Sequence, residues 1–272
     1  MADLNRNFFD ALARTYDVWL DGLHRRVALT LAEMVQPGPG ESVLDVGCGT
    51  GLFSHPVARA VGPTGHVVAI DAAASMLDMA RRSPSPNTSY FHATVDGPLW
   101  FRDGAFGLIA FCDSLTYLAS PRQALQEAAR MLAPGGRLAL AVPCRSLATA
   151  AQETSRRVLE RALQRQPLTV PPPHGPNSLL GEPDHLLRAL NDVGLDRCVF
   201  RTFVSGQRAS SSEDWLDIEQ TSSPRAYVLL SSIGPVMQRT LADRIDEEME
   251  RLGDERYRHH QAYTLAVAWR DR

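Results

Sequence analysis

The 272-residue sequence contains no lysine, so all 28 of its basic residues are arginine. That absence excludes Schiff-base and pyridoxal-phosphate chemistry, and with them the P-loop lysine. Cysteine is scarce: Cys48, Cys112, Cys144 and Cys198 lie far apart, without a C-x-x-C pair. Neither a zinc site nor a disulfide framework is expected, and a reducing cytoplasm is the expected location. No apolar run approaches the length of about 18 residues needed to cross a bilayer, and "MADLNRNFFDALARTYDVW" holds no signal-peptide core. A large excess of either charge is also missing. A net charge of −3 gives no electrostatic reason to expect nucleic acid as a partner.

What is present is a chain with 44% hydrophobic residues, enough for one sizeable core with an appended lid. Apolar residues recur at three- and four-residue intervals from 8 to 35, which predicts a helix that "QPGPGE" stops. Short apolar runs then alternate with helical patterns. The predicted strands are "SVLDVG", "HVVAID", "TSYFHA", "FGLIAFCD" and "RLALAVP", with helices near 53–61, 74–83 and 121–132 between them. This rhythm predicts a doubly wound, mostly parallel α/β sheet. Past Pro143 come a long helix, the proline-rich "PLTVPPPHGPNS", a helix in "PDHLLRALNDVGL" and a sixth strand in "DRCVFRTFV". "SGQRASSSED" reads as a polar linker, followed by three lid helices and a last strand in "AYTLAVAWR". The expected organisation is one domain over 1–272. Its parts are a helical cap (1–36), a binding core (37–143), acceptor-side insertions and lid (144–180 and 205–258), and a closing helix and strands (181–204 and 259–272).

In an open α/β sheet, ligands sit at the carboxyl ends of the strands where the topology reverses. Gly47, Gly49 and Gly51 follow the first strand, and side-chain-free residues there let the backbone bend tightly and approach a ligand. The spacing is G-x-G-x-G with no glycine at position 52, which weakens a dinucleotide reading. Asp71, twenty residues beyond Gly51, ends the second strand. A carboxylate there can accept both hydroxyls of a ribose diol. Asp45 sits inside a buried strand, where a carboxylate is costly without donors, so it either ties down the loop or receives an ammonium group.

"VLDVGCGTG", the acid closing "VVAID" and "MLAPGGRLALAV" resemble the motifs of class I S-adenosylmethionine-dependent methyltransferases. The similarity extends to the ubiquinone/menaquinone C-methyltransferase type and related small-molecule methyltransferases, and covers about residues 8–143. It implies a seven-stranded Rossmann-like methyltransferase fold, S-adenosylmethionine as cofactor and a small-molecule acceptor. It further implies that Asp45, Gly47, Cys48, Gly49, Thr50 and Gly51 line the methionine and ribose side, and that Asp71 holds the ribose. Ala72 and Met76 would lie beside the adenine, Val95 or Asp96 at its amine, and Cys112 at the methionine. Tyr16 matches a tyrosine that closes over the cofactor and could face the sulfonium by cation–π attraction.

Methyl transfer is an in-line displacement that alignment and dryness can drive, so no catalytic side chain is obligatory. If a base is used, the candidates are His174, Asp113 and Tyr117. Asp113, Ser114 and Tyr117 belong to the acceptor side. Cys48 and Cys112 are expected as packing residues. His259 and His260 are expected at a strand-edge surface, and Trp215, Tyr227 and Met237 either pack the lid or line an acceptor cavity. Rival readings are a fold relative that keeps the cofactor and catalyses cyclisation, a non-catalytic partner protein, and an NAD oxidoreductase.

Overall fold

The computed structural model describes residues 2–94, 99–168 and 180–271. Seven strands form one sheet: β1 (Ser42–Val46), β2 (His66–Asp71), β3 (Thr88–His92), β4 (Phe106–Cys112), β5 (Leu132–Pro143), β6 (Arg197–Arg208) and β7 (Arg258–Trp269). Their order is β3-β2-β1-β4-β5-β7-β6. β1 to β5 run parallel, and β7 lies antiparallel between β5 and β6. The helices are α1 (Ala2–Leu12), α2 (Trp19–Val35), α3 (Ser54–Val61), α4 (Ala74–Ala80), α5 (Pro121–Met131), α6 (Ala150–Leu163), α7 (Pro183–Asn191), α8 (Ser212–Ser222), α9 (Pro224–Ser232) and α10 (Pro235–Met249). The mostly parallel seven-stranded sheet expected from the sequence is present.

Alternation along each strand explains the layers. Val43, Val67, Leu108 and Val267 pack with Leu23, Val27 and Leu31 of α2 and Val57 of α3. Leu44, Ile70, Ile109 and Leu138 pack with Leu125 of α5 and Leu186 and Leu190 of α7. With both faces covered, the central strands read as continuous apolar runs. A third cluster, built on Val158, Trp215, Leu229, Ile245 and Met249, belongs to helices α6, α8, α9 and α10. α6 opens with a capping box in which Thr149 Oγ1 accepts the Gln152 N–H and the Gln152 side chain accepts the Thr149 N–H. In a chain without lysine, arginine forks make the ties. Arg137 donates to both Glu41 carboxylate oxygens and to the carbonyls of Val35 and Gln36, where α2 ends.

Three expectations are corrected. The helix expected over 8–35 is two helices, because residues 13–18 form a turn and Leu20, Asp21 and Gly22 all adopt left-handed conformations. The supposed linker at 205–208 is strand: β6 continues through "SGQR", paired residue by residue with the start of β7. Backbone pairing with a neighbouring strand overrode the polar composition. His259 is 2% exposed rather than superficial. Its ring lies 5.4 Å from the Trp215 ring, so α8 covers the beginning of β7.

Candidate functional site

β1 leads on to β2 and β3 on one side of the sheet, and β4 pairs on its other side. The crevice therefore opens between the carboxyl ends of β1 and β4. Gly47 and Cys48 both donate their N–H to Ile70 O, at 2.8 and 3.0 Å, folding the glycine turn toward β2. Across the crevice, Ser114 Oγ donates to Val46 O at 2.5 Å. A Cβ on Gly47 would come within 2.3 Å of Ser114 Cβ. The two loops thus meet so closely that a side chain at 47 is sterically excluded.

Asp71 points into the bend. Its Oδ2 accepts the Gly49 N–H at 2.7 Å and its Oδ1 accepts the Ala73 N–H at 2.8 Å. Burial pushes its pKa up against those hydrogen bonds. Each carboxylate oxygen carries a second lone pair, so capacity for two ribose hydroxyls remains. Gly49 has φ +55, and nothing lies within 4 Å of a Cβ built there. A left-handed, side-chain-free bend facing open space beside a ribose-competent carboxylate fits an adenosyl ligand.

Asp45 is fully buried and accepts from Ser54 Oγ at 2.5 Å, at the first residue of α3. Burial raises its pKa to about 7. Its Oδ1 has no hydrogen-bond partner among the described residues. Thr50 Oγ1 donates to Asp17 Oδ1 at 2.5 Å, and the Ser75 N–H donates to Asp10 Oδ1 at 2.8 Å. Two carboxylates of the N-terminal cap thus hold the glycine turn and the start of α4. Met76 packs with Ala13 and Ala73 beneath Phe9 and Tyr16, and the Ala72 carbonyl is 2.9 Å from His92 Nε2. Cys48 is buried, Cys112 half-buried, and burial pushes both thiols up.

A cavity of about 30 Å³ is lined by Gly47, Cys48, Gly49, Thr50, Cys112 and Asp113 from the sheet and by Tyr16, His24, Val27 and Ala28 from the cap. This is room for about one water. Tyr16 stacks on His24 with centroids 3.9 Å apart. Asp113 Oδ2 accepts from Tyr263 OH at 3.1 Å and lies 3.8 Å from His24 Nε2. Sequence reading missed His24, Asp17 and Tyr263: nothing in a helical pattern or a strand run marks which side chains fold back over the crevice. Val95, Asp96 and His174 lie outside the described residues. Trp215 is fully buried in the lid core, Tyr227 packs edge-on against Phe8, and Met237 is exposed. Among the described residues no group of three or more histidine, cysteine or acidic side chains is placed to hold a metal ion.

The chain is similar to known methyltransferases. Residues 43–136 match the family model described as a methyltransferase domain. A ubiquinone/menaquinone biosynthesis C-methyltransferase of Hahella chejuensis is 34% identical over 139 residues, covering 48% of this chain and 55% of that protein. A nocamycin O-methyltransferase of Saccharothrix syringae is 35% identical over 141 residues, covering 50% and 49%. The chain spans about half the length of the curated relatives it matches. A solved structure assigned as a methyltransferase, from Bacillus halodurans C-125, superposes with a TM-score of 0.60 at 19% identity, covering 90% of this chain and 99% of that one. Residues 43–136 are thus similar to a methyltransferase domain, and the chain shares the fold of that solved structure.

Proposed function

We propose that this chain transfers the methyl group of S-adenosylmethionine to a small organic acceptor in secondary metabolism. The observation that carries the proposal is the joint geometry of Gly49 and Asp71: a bend open to a ligand, held by its own N–H to a carboxylate at the neighbouring strand end. The nocamycin O-methyltransferase relative supports a secondary-metabolic role. Four unpaired cysteines are in keeping with a cytoplasmic location.

The cofactor would supply an electrophilic methyl group on a sulfonium. Asp71 would bind the ribose, and Gly47 to Gly51 the methionine and ribose side. Ala72 and Met76 would border the adenine, with Val95 or Asp96 at its amine. Cys112 and Tyr16 would border the reacting end. The chain's own contribution is alignment and exclusion of water. The cap does the excluding: Tyr16, His24 and Trp19 stack over the crevice. The lid helices α8 to α10 with α6 would close the acceptor side. Among the described residues the cavity lining includes Asp113 and no arginine, and Asp71 is bonded to the lining Gly49, which suits a cationic sulfonium.

Calorimetric titration with S-adenosylhomocysteine and with NAD, followed by incubation with methyl-labelled S-adenosylmethionine and a panel of phenols, enols and amines, tests the reading. Binding of the first nucleoside alone and label transfer are expected. Preference for NAD, or product formed without label, would overturn it. Asp71→Asn keeps the shape but removes the charge, and is expected to weaken cofactor binding by about 1.5–3 kcal/mol.

A further inference from the structure

We propose that Asp113 is the counter-charge of the cofactor's sulfonium, the residue by which this site tells S-adenosylmethionine from its demethylated product, S-adenosylhomocysteine. The inference rests on the methyl-transfer reading and adds to it a specificity-determining residue at the cofactor cavity.

Asp113 directly follows β4, across the crevice from the glycine turn. It lines one cavity with Gly47 to Thr50, Cys112 and Tyr16. Its N–H donates to Ala141 O at 2.9 Å, and its backbone is left-handed, with φ +59, a conformation that a non-glycine residue keeps only where its surroundings hold it. The side chain is 10% exposed. Tyr263 OH donates to its Oδ2 at 3.1 Å, which fixes the carboxylate from the side of β7.

What this carboxylate lacks within the chain is a cation. Buried carboxylates are normally paired with positive charge, because hydroxyl donors alone do not offset the loss of hydration. Among the described residues no arginine lines the cavity, and the chain has no lysine. His24 Nε2 is 3.8 Å from Oδ2, but burial lowers the His24 pKa to about 3, so the ring is neutral. The other titratable groups around Asp113 are Tyr16 from the cap, Cys112 and Tyr117 on either side of it, and Tyr263 from β7. Burial, and the charge of Asp113 itself, hold all four protonated. Asp71, Asp45 and Arg145 act on Tyr16, Cys112 and Tyr117 rather than on Asp113. A cation supplied by the ligand completes the pair.

S-adenosylmethionine carries two cations. Its ammonium has three N–H donors to satisfy, whereas the sulfonium has none and needs only charge and close contact. Around Asp113 the cavity wall is largely apolar, with the Tyr16 ring, Val27, Ala28, Leu52 and Phe53. One carboxylate and an aromatic face suit the sulfonium. Transfer removes that charge: as an acceptor lone pair bonds the methyl carbon, the carbon–sulfur bond breaks and its electron pair stays on sulfur. The neutral thioether is no longer attracted by Asp113, which favours its release.

Burial raises the Asp113 pKa to about 7, opposed by the Tyr263 and Tyr16 hydroxyls. The ionised form is the one that attracts a sulfonium. Preference for S-adenosylmethionine therefore grows as pH rises through about 7 and is lost as pH falls below it.

The test is calorimetric titration of the full chain with S-adenosylmethionine and with S-adenosylhomocysteine at pH 6 and pH 8, in the parent, Asp113→Asn and Asp113→Glu. In the parent the ratio of the two affinities is expected to rise by up to about tenfold between the two pH values, following the ionised fraction of Asp113. Asp113→Asn is expected to lower the ratio at pH 8 by about tenfold and to abolish its pH dependence, and Asp113→Glu to restore part of both. Equal weakening of both ligands in Asp113→Asn overturns the proposal, because a contact with the ammonium, or packing alone, would serve both alike. A ratio independent of pH in the parent also overturns it, and that measurement stands even if the asparagine variant does not fold. Binding of neither ligand removes the methyl-transfer reading and this inference with it, whereas binding of both with an unchanged ratio removes the inference alone.

Discussion

A methyl group added at Gly47 would lie 2.3 Å from Ser114 Cβ, whereas one added at Gly49 would meet nothing within 4 Å. Both glycines are left-handed, so each alanine carries about 1 kcal/mol of backbone strain. Gly47→Ala adds a clash with a buried neighbour and is expected to destabilise the fold by more than about 2 kcal/mol. Gly49→Ala is expected to cost only the strain, but to lower cofactor affinity at least tenfold by projecting into the crevice. Chemical denaturation and calorimetry on the two variants read these separately, and equal stability losses would contradict the packing. Asp45 yields a pH prediction. Its folded pKa, about 7, exceeds the unfolded value, so the folded state binds the proton more tightly. Its stabilising contribution is present in acid and is lost as pH climbs from about 4 to about 7, by at most about 4 kcal/mol. Asp45→Asn, which can still accept from Ser54, should raise the melting temperature more at pH 8 than at pH 5. A variant effect independent of pH would show that Asp45 is ionised at no cost.

At the scale of elements, the N-terminal helices are tied both to the glycine turn and to α8. α1 and α2 are joined by a turn, and Leu20, Asp21 and Gly22 wind left-handed before α2 begins in earnest. Asp17 reaches Thr50 from this segment and Trp19 Nε1 donates to Thr221 Oγ1 of α8 at 2.6 Å, so the turn joins the glycine loop to α8. Asp21 is exposed and left-handed. Asp21→Gly is expected to raise stability by about 0.5 kcal/mol and Asp21→Val to lower it by about 1–2 kcal/mol. Thermal melts check the ordering, and a reversed order would place the residue in an ordinary conformation.

Across the whole molecule, the three largest apolar clusters among the described residues are two that sandwich the sheet and one built by α6 and α8 to α10. Trp215, fully buried, is the largest side chain of the lid cluster. Trp215→Ala is expected to destabilise the lid by about 3–5 kcal/mol, with hydrogen exchange accelerating in α6 and α8 to α10 while β1, β2 and β4 keep their protection. Uniform acceleration through the sheet would mean that lid and core unfold as one unit. Among the described residues no helix is long and apolar enough to cross a membrane.

The sequence by itself determined the sheet and the tight turn after its first strand. Buried parallel strands must be apolar on both faces, and Gly47 and Gly49 supply the left-handed backbone such a turn needs. These signals are local, confined to a few consecutive residues with one consistent period. Only the tertiary structure decided that β6 runs on through a polar stretch, that His259 is sealed under Trp215, that Asp10 and Asp17 tie down Ser75 and Thr50, and that His24 lines the cavity. Each of these depends on a contact between segments far apart in the chain, such as Trp19 with Thr221 or His24 with Asp113. Backbone pairing, desolvation and side-chain stacking across such distances leave no periodicity in the sequence to read.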